Sequence, residues 1–372
     1  MFQELYVRPS RVIPLVLCGG ASRRLWPIQI PKQFLHIHGQ QSLLQKTIAR
    51  IQFSESVTAP ILSCNVRYED SIQSQMNAIG LEDYQFIAEP EPRNTAPAVL
   101  VSALVALKKQ SPDDILLILP SDHLIDNDEA YQAAVKQAIE LAKENHIAMI
   151  GIKPTSPHTG FGYIETGLQI SDSSGYFVSR FVEKPSLEQA EKYLKNQSYF
   201  WNSGIYVMKI KTLLTEARQY CPQLLDACQR VVGNTRQEGG HYYVQEADYL
   251  QAPDIPLDKA ISEHTHCGVL VPAQFQWKDL GSWSSMADMD PTQKDQNGNV
   301  IQGNIMAQGV HDCYIQSLGE KPIIAIGLDN VVIVDTPEGL LITRKDMEQD
   351  VRSCSERLSR LRLKTMESCE GI

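Results

Sequence analysis

An apolar, β-branched run from Val12 to Leu17 ends in Cys18-Gly19-Gly20-Ala21-Ser22-Arg23-Arg24, and Lys32 follows eight residues after Arg24 within Pro31-Lys32-Gln33-Phe34-Leu35. Paired glycines let backbone N–H groups approach a ligand that any Cβ would block. Successive N–H groups in such a turn form a concavity that favours anions. Arg24 and Lys32 add fixed positive charge that suits a polyphosphate better than a carboxylate. Either cation alone would read as an ordinary surface ion pair; together, after a glycine turn, they read as a nucleotide phosphate site. Asp122, in Pro120-Ser121-Asp122-His123, directly follows a second apolar run and suits a hard cation, because Mg²⁺ is held by one or two carboxylates plus substrate phosphates.

These residues need a frame that puts them at strand ends. Short apolar runs at Val12–Leu17, Ile61–Cys64, Gln85–Ala88, Ile115–Leu119 and Ile147–Ile150 alternate with helical patterns near 41–52, 69–79, 95–109 and 128–145. That alternation predicts βαβ units and a mostly parallel sheet. Ligands of such sheets sit beyond the carboxyl ends of the strands, so Gly19-Gly20 and Ser121-Asp122 are expected to line one crevice. From 152 to about 285 the pattern is mixed, with strands at Phe177–Val182, Ser203–Met208 and Cys267–Pro272 and helices near 186–196 and 210–220. The polar stretch Pro291–Asn299 predicts a boundary, dividing the chain into a domain over 1–288 and a second over 296–372. Beyond it, short glycine-punctuated strands at Asn299–Ile305, Cys313–Ser317, Pro322–Gly327 and Val331–Asp335 predict a small β-helical or barrel-like piece. Met347, Val351, Cys354, Leu358 and Leu361 then form the apolar stripe of a final helix that packs on its own domain.

Composition narrows the function classes. The 372 residues are 43% hydrophobic and carry a formal net charge of −10, an ordinary balance for a globular protein. Such a charge argues against nucleic-acid and anionic-membrane binding, which need a basic face. No apolar run approaches the ~20 residues of a membrane span. The first residues lack a signal-peptide core, and eight scattered cysteines fit a reduced, cytoplasmic protein better than a disulfide framework. His264-Thr265-His266-Cys267 has no second ligand group at zinc-like spacing and reads as structural, as do Cys221, Cys228, Trp26 and Trp283; His123 is held in reserve.

The stretch from Gly19 to Leu35 resembles the signature of sugar-1-phosphate nucleotidylyltransferases, and Arg24-Leu25-Trp26-Pro27 with Pro31-Lys32-Gln33-Phe34-Leu35 is most similar to mannose-1-phosphate guanylyltransferases. The resemblance continues through Glu89–Ala98, Pro120–His123, Thr159–Ile164, Phe181–Pro185, Trp201–Gly204, Trp277–Trp283 and Val331–Asp350. It implies a Rossmann-like α/β nucleotidyltransferase domain with a mixed, mostly parallel sheet, followed by a small left-handed β-helix-like domain that often supports homodimers. The implied activity is GMP transfer from GTP to α-D-mannose 1-phosphate, giving GDP-mannose and pyrophosphate without a covalent intermediate. Heptose or glucose phosphates as acceptors, and a non-catalytic GDP-sugar regulator, stand as alternatives.

By the same resemblance, Arg24 and Lys32 are catalytic, and Asp279 joins Asp122 as catalytic residue and Mg²⁺ ligand. The nucleotide is implied to meet Gly19, Gly20, Ala21, Ser22, Arg23, Glu89, Asn94, Thr95 and Ser121. Glu89 argues for guanine, whose adjacent N1–H and N2–H₂ donors match a carboxylate, and Asn94 or Thr95 suits a helix N-cap. The sugar phosphate is implied to meet Gly162, Glu183, Lys184 and Asn202, with Asn202 able to donate and accept. Ser22 and Arg23 depart from the family pattern of a glycine and a small hydroxyl residue. The length also implies that the isomerase domain of longer members, and its activity, are missing.

Overall fold

The computed structural model describes residues 8–20, 23–28, 30–36, 40–171, 173–287 and 291–369. It forms two compact units: the chain through Gly19 with Gln40–Ser121 and Ile125–Trp277, and Gly20–Gly39 with Asp122–Leu124 and the chain from Lys278.

In the first unit, strands β1 (Val12–Leu17), β2 (Ile61–Asn65), β3 (Gln85–Glu89) and β4 (Ile115–Pro120) are apolar enough to be buried on both faces, and they pair in parallel. β5 (His123–Ile125) lies outside this sheet. The sheet continues through β6 (Ile147–Ile152), β7 (Gly162–Gln169), β8 (Tyr176–Glu183), β9 (Tyr199–Lys209), β10 (Arg236–Glu238), β11 (His241–Tyr243) and β12 (Gly268–Pro272). Its spatial order is β10-β11-β3-β2-β1-β4-β9-β6-β12-β8-β7, and β9 runs antiparallel to both β4 and β6. The sheet is therefore mixed.

The helices expected between the first strands are present at Leu43–Arg50, Glu69–Ala78, Thr95–Ala106 and Asp128–Lys143. Ser42 starts the first with a capping box, its hydroxyl accepting from Gln45 N while Gln45 accepts from Ser42 N. Thr95–Ala106 is apolar on nearly every side and is correspondingly buried against the sheet. Several elements had no sequence expectation, among them the strands β7, β10 and β11 and the short helix Glu246–Tyr249. The helix Pro222–Asn234 begins with proline at its first turn.

In the second unit, β13 (Trp277–Asp279), whose last two residues belong here, precedes a small β domain. There β14 (Val300–Gln302), β16 (Tyr314–Ser317) and β18 (Val331–Thr336) form a parallel ladder, and β15 (Ile305–Gln308) pairs in parallel with β17 (Ile323–Ile326). This is the stacked pattern of a β-helix-like domain, closed by the antiparallel strand β19 (Gly339–Arg344). Leu25 and Trp283 are buried with Val300, Tyr314, Val332, Val334, Leu341 and Val351. Trp283 Nε1 donates to the Trp26 carbonyl at 3.1 Å. Gly339 approaches Trp26 so closely that a Cβ there would lie 2.8 Å from the indole.

The final helix departs from expectation. It starts at Val351, after a 3₁₀ turn over Lys345–Asp350 that takes in Met347. Of the expected stripe only Val351 is buried; Met347, Cys354 and Leu361 are exposed. The stripe is buried only at the helix start, where Val351 joins the core of the β-helix-like domain; Leu358 is half-buried.

Candidate active site

Lys32 sits in a 3₁₀ turn, Lys32–Phe34, and its ammonium reaches two carboxylates within the second unit: Nζ is 2.5 Å from Asp279 Oδ1 and 2.9 Å from Asp122 Oδ2. Asp122 occupies the step between β4 and β5, and Asp279 closes β13. Burial opposes the Lys32 charge, yet the two carboxylates more than offset it, and its pKa stands above the ordinary lysine value. Burial likewise opposes the Asp279 charge; Lys32, then His123 and Arg24, hold that carboxyl below the usual range. His123 Nε2 lies 3.7 Å from Asp122 Oδ1. Arg24 completes the group through an absent side chain, for a Cβ on Gly281 would lie 3.2 Å from Arg24 Nη2 and 3.4 Å from Asp279 Oδ2. The structure thus brings together all four residues expected to be catalytic.

The residues expected to meet the nucleotide divide. Gly20 has φ +111°, a backbone that glycine alone adopts easily, and a Cβ on Gly19 would meet nothing, so this turn is open. Ala21 and Ser22 lie outside the described residues, and Arg23 opens the 3₁₀ turn Arg23–Leu25. Ser121 is fully buried, and its hydroxyl donates to the Leu17 carbonyl at 2.8 Å. That bond ties Ser121, expected to meet the nucleotide, to the end of β1.

Glu89, at the end of β3, is buried within the first unit. Ser63 Oγ donates to its Oε1 at 2.6 Å and Tyr249 Oη to its Oε2 at 2.7 Å. Burial raises its pKa, and the two hydroxyls partly counter that. One lone pair on each oxygen is therefore already committed. Asn94 holds the N-cap position of the following helix at φ +55° but makes no cap bond; its amide donates to Asp254 instead, at 2.5 Å. Thr95 Oγ1 accepts from Leu257 N at 2.8 Å. Neither acts as the expected capping side chain, because the 250–257 segment takes their polar atoms.

The residues expected to meet the sugar phosphate form one cluster in the first unit. A Cβ on Gly162 would lie 2.9 Å from Glu183 Oε2, so only glycine leaves that carboxylate in place. Lys184 Nζ pairs with Glu183 Oε1 at 2.7 Å from a backbone with φ +48°. Asn202 Nδ2 donates to Asp258 Oδ1 at 2.7 Å and to Tyr206 Oη at 3.0 Å, while its Oδ1 accepts from Gly204 N at 3.1 Å. Both amide hydrogens are spent, so Asn202 is left an acceptor, not the donor and acceptor expected. Sequence reasoning missed Asp258, Tyr206, Tyr249 and Ser63, lone polar residues within segments whose patterning gives no signal for them.

Among the described residues, seven cysteines are free and no helix is long and apolar enough to cross a membrane. The family described as nucleotidyl transferase matches residues 13–296, and a MannoseP isomerase/GMP-like β-helix domain matches 306–358. The chain is 37% identical over 351 residues to a mannose-1-phosphate guanylyltransferase of Klebsiella pneumoniae, spanning 93% of this chain and 73% of that one. It is 35% identical over 364 residues to the alginate biosynthesis protein AlgA of Pseudomonas aeruginosa, spanning 96% and 75%. A crystal structure described as mannose-1-phosphate geranyltransferase from Thermus thermophilus superposes with a TM-score of 0.79 at 27% identity, covering 94% of this chain and 99% of that one.

Proposed function

The chain belongs to the mannose-1-phosphate guanylyltransferases of the nucleotidyl transferase family, and from that membership we propose that it transfers GMP from GTP to α-D-mannose 1-phosphate, releasing pyrophosphate. The observation that carries this reading is the pair Asp122 and Asp279 drawn onto the single Lys32 ammonium, with Arg24 beside them. Two cations and two hard carboxylates suit phosphate transfer by positioning and charge neutralisation.

A phosphate oxygen of the sugar phosphate attacks the α-phosphorus in line, and the bond to pyrophosphate breaks. The forked Arg24 guanidinium clamps oxygens of the departing pyrophosphate. Lys32, a compact charge, bridges the attacking and α-phosphates. Glu89 accepts from the guanine with the lone pairs that Ser63 and Tyr249 leave, at Asn94 and Thr95. Glu183, Lys184 and Asn202 receive the mannose phosphate. The donor chemistry fits Mg²⁺: two carboxylates already share one cation, and among the described residues no third protein ligand joins them, which leaves positions for phosphate oxygens. Asp122 and Asp279 would hold the ion, which when bound neutralises phosphate charge.

Free cysteines support a reduced cytoplasmic setting, and the GDP-mannose formed would feed polysaccharide assembly, as the name of the AlgA relative suggests. Exposed Met306 and Ile324, directly paired across β15 and β17, support a homodimer, which light scattering tests. The deciding assay measures pyrophosphate release across nucleoside triphosphates and sugar 1-phosphates with Mg²⁺. GTP with mannose 1-phosphate is expected to be the preferred pair. A preference for UTP or dTTP overturns the role of Glu89, and no turnover alongside tight GDP-mannose binding overturns the enzyme reading.

A further inference from the structure

Two backbone irregularities meet at Asn202. On one side, β9 bulges against β6: the register passes from Met149 opposite Tyr206 to Gly151 opposite Asn202, two residues against four. Gly204, inside that bulge, has φ +73°, and its N–H holds Asn202 Oδ1. On the other side, Asp258–Ser262 is a π-helical turn. Such turns and bulges re-aim side chains at a cost in regular hydrogen bonding, and both are frequent beside functional sites.

Here both serve one network. Asp258 Oδ1 accepts from Tyr206 Oη at 2.6 Å and from Asn202 Nδ2 at 2.7 Å, and Ser262 Oγ donates to Tyr206 Oη at 3.1 Å. Tyr206 and Ser262 are buried to 3% exposure, and Asn202 is half-buried. Rotating the Asn202 amide by half a turn would set its carbonyl oxygen against the Asp258 carboxylate, so the amide has one orientation. Asp258 also lies in the field of Glu183 and Lys184, the other polar members of the same cluster.

We infer that Asp258 is a positioning residue for the sugar 1-phosphate: it fixes the Asn202 amide so that only its carbonyl oxygen faces substrate, which selects a hydroxyl donor there. This rests on the sugar-phosphate role proposed above for Asn202. Wild-type enzyme is first assayed for its preferred sugar 1-phosphate; absence of any acceptor refutes that role, and the variants are read only against the acceptor that is found. Asp258→Ala is expected to raise KM for that acceptor about tenfold, with KM for GTP within about twofold. Asp258→Asn keeps an acceptor oxygen for Asn202 and Tyr206 and is expected to restore most of the loss. Tyr206→Phe, which removes only the phenol, is expected to raise the same KM by a smaller factor. An unchanged acceptor KM in folded Asp258→Ala overturns the inference. Should that variant not fold, an unchanged acceptor KM in Tyr206→Phe overturns it, as does an equal rise in both KM values.

Discussion

At the scale of single residues, the proposed chemistry is concentrated where charge is shared rather than neutralised one to one. Lys32 serves two carboxylates, so removing one of them leaves the ammonium paired while halving the donor set for a metal. Asp279→Asn is therefore expected to fold with little change in Tm and to lose at least about a hundredfold in kcat. Steady-state kinetics beside a melting curve checks this, and wild-type turnover would refute the assignment. Glu89 makes a different prediction. Its folded pKa is raised above the ordinary 4.5 by burial, so the folded chain binds a proton more readily than the unfolded one. The stability this contributes is complete below the unfolded pKa and is lost as pH rises through the folded pKa. Wild-type Tm should carry that decline upward from about pH 4.5, and Glu89→Gln should remove it from a pH series of melting curves.

At the scale of elements, the fold was legible wherever burial is uniform along a strand. Val12–Leu17 and Ile115–Pro120 are apolar along their whole length, and a residue following such a run, Asp122 for example, could be placed at a strand end from sequence alone. Asn94 shows the limit. Its type suits an N-cap, but a chain segment more than a hundred residues later captures its side chain, and local propensity yields to that contact. Asp258 and Tyr249 were illegible for the same reason: each is a lone polar residue whose meaning lies in what the sheet brings to it. The Trp26 turn gives the prediction at this scale. Gly339→Ala would press a methyl group into the indole, and a loss of about 1–3 kcal/mol is expected from overpacking, read as a lower Tm. Because Arg24 is two residues from Trp26, kcat should fall with it; a normal kcat in the destabilised variant would detach the turn from the chemistry.

At the scale of the whole molecule, the second unit is assembled from distant parts of the sequence. Leu25 and Trp283 are buried by residues of the β-helix-like domain, which makes that domain the bed of the turn bearing Arg24. A chain ending at residue 296 loses Val300, Tyr314, Val332, Val334, Leu341 and Val351 from that core. It is expected to show no turnover and a red-shifted tryptophan emission from Trp283; retained activity would refute the scaffold role. Sequence patterning marked the β domain by its short, glycine-punctuated strands, but it carried no sign that Leu25 belongs to the same core, since one apolar residue does not announce its partners.

The same arrangement orders events in time. During synthesis Gly20–Gly39 leaves the ribosome well before the residues that bury Leu25 and abut Trp26, which lie beyond residue 282. The turn bearing Arg24 therefore stays unset until those residues are made. A nascent or prematurely released chain would carry Arg24 and Lys32 without the support that aims them, and under the proposed nucleotide role it is expected to leave the nucleotide pool untouched until those strands arrive.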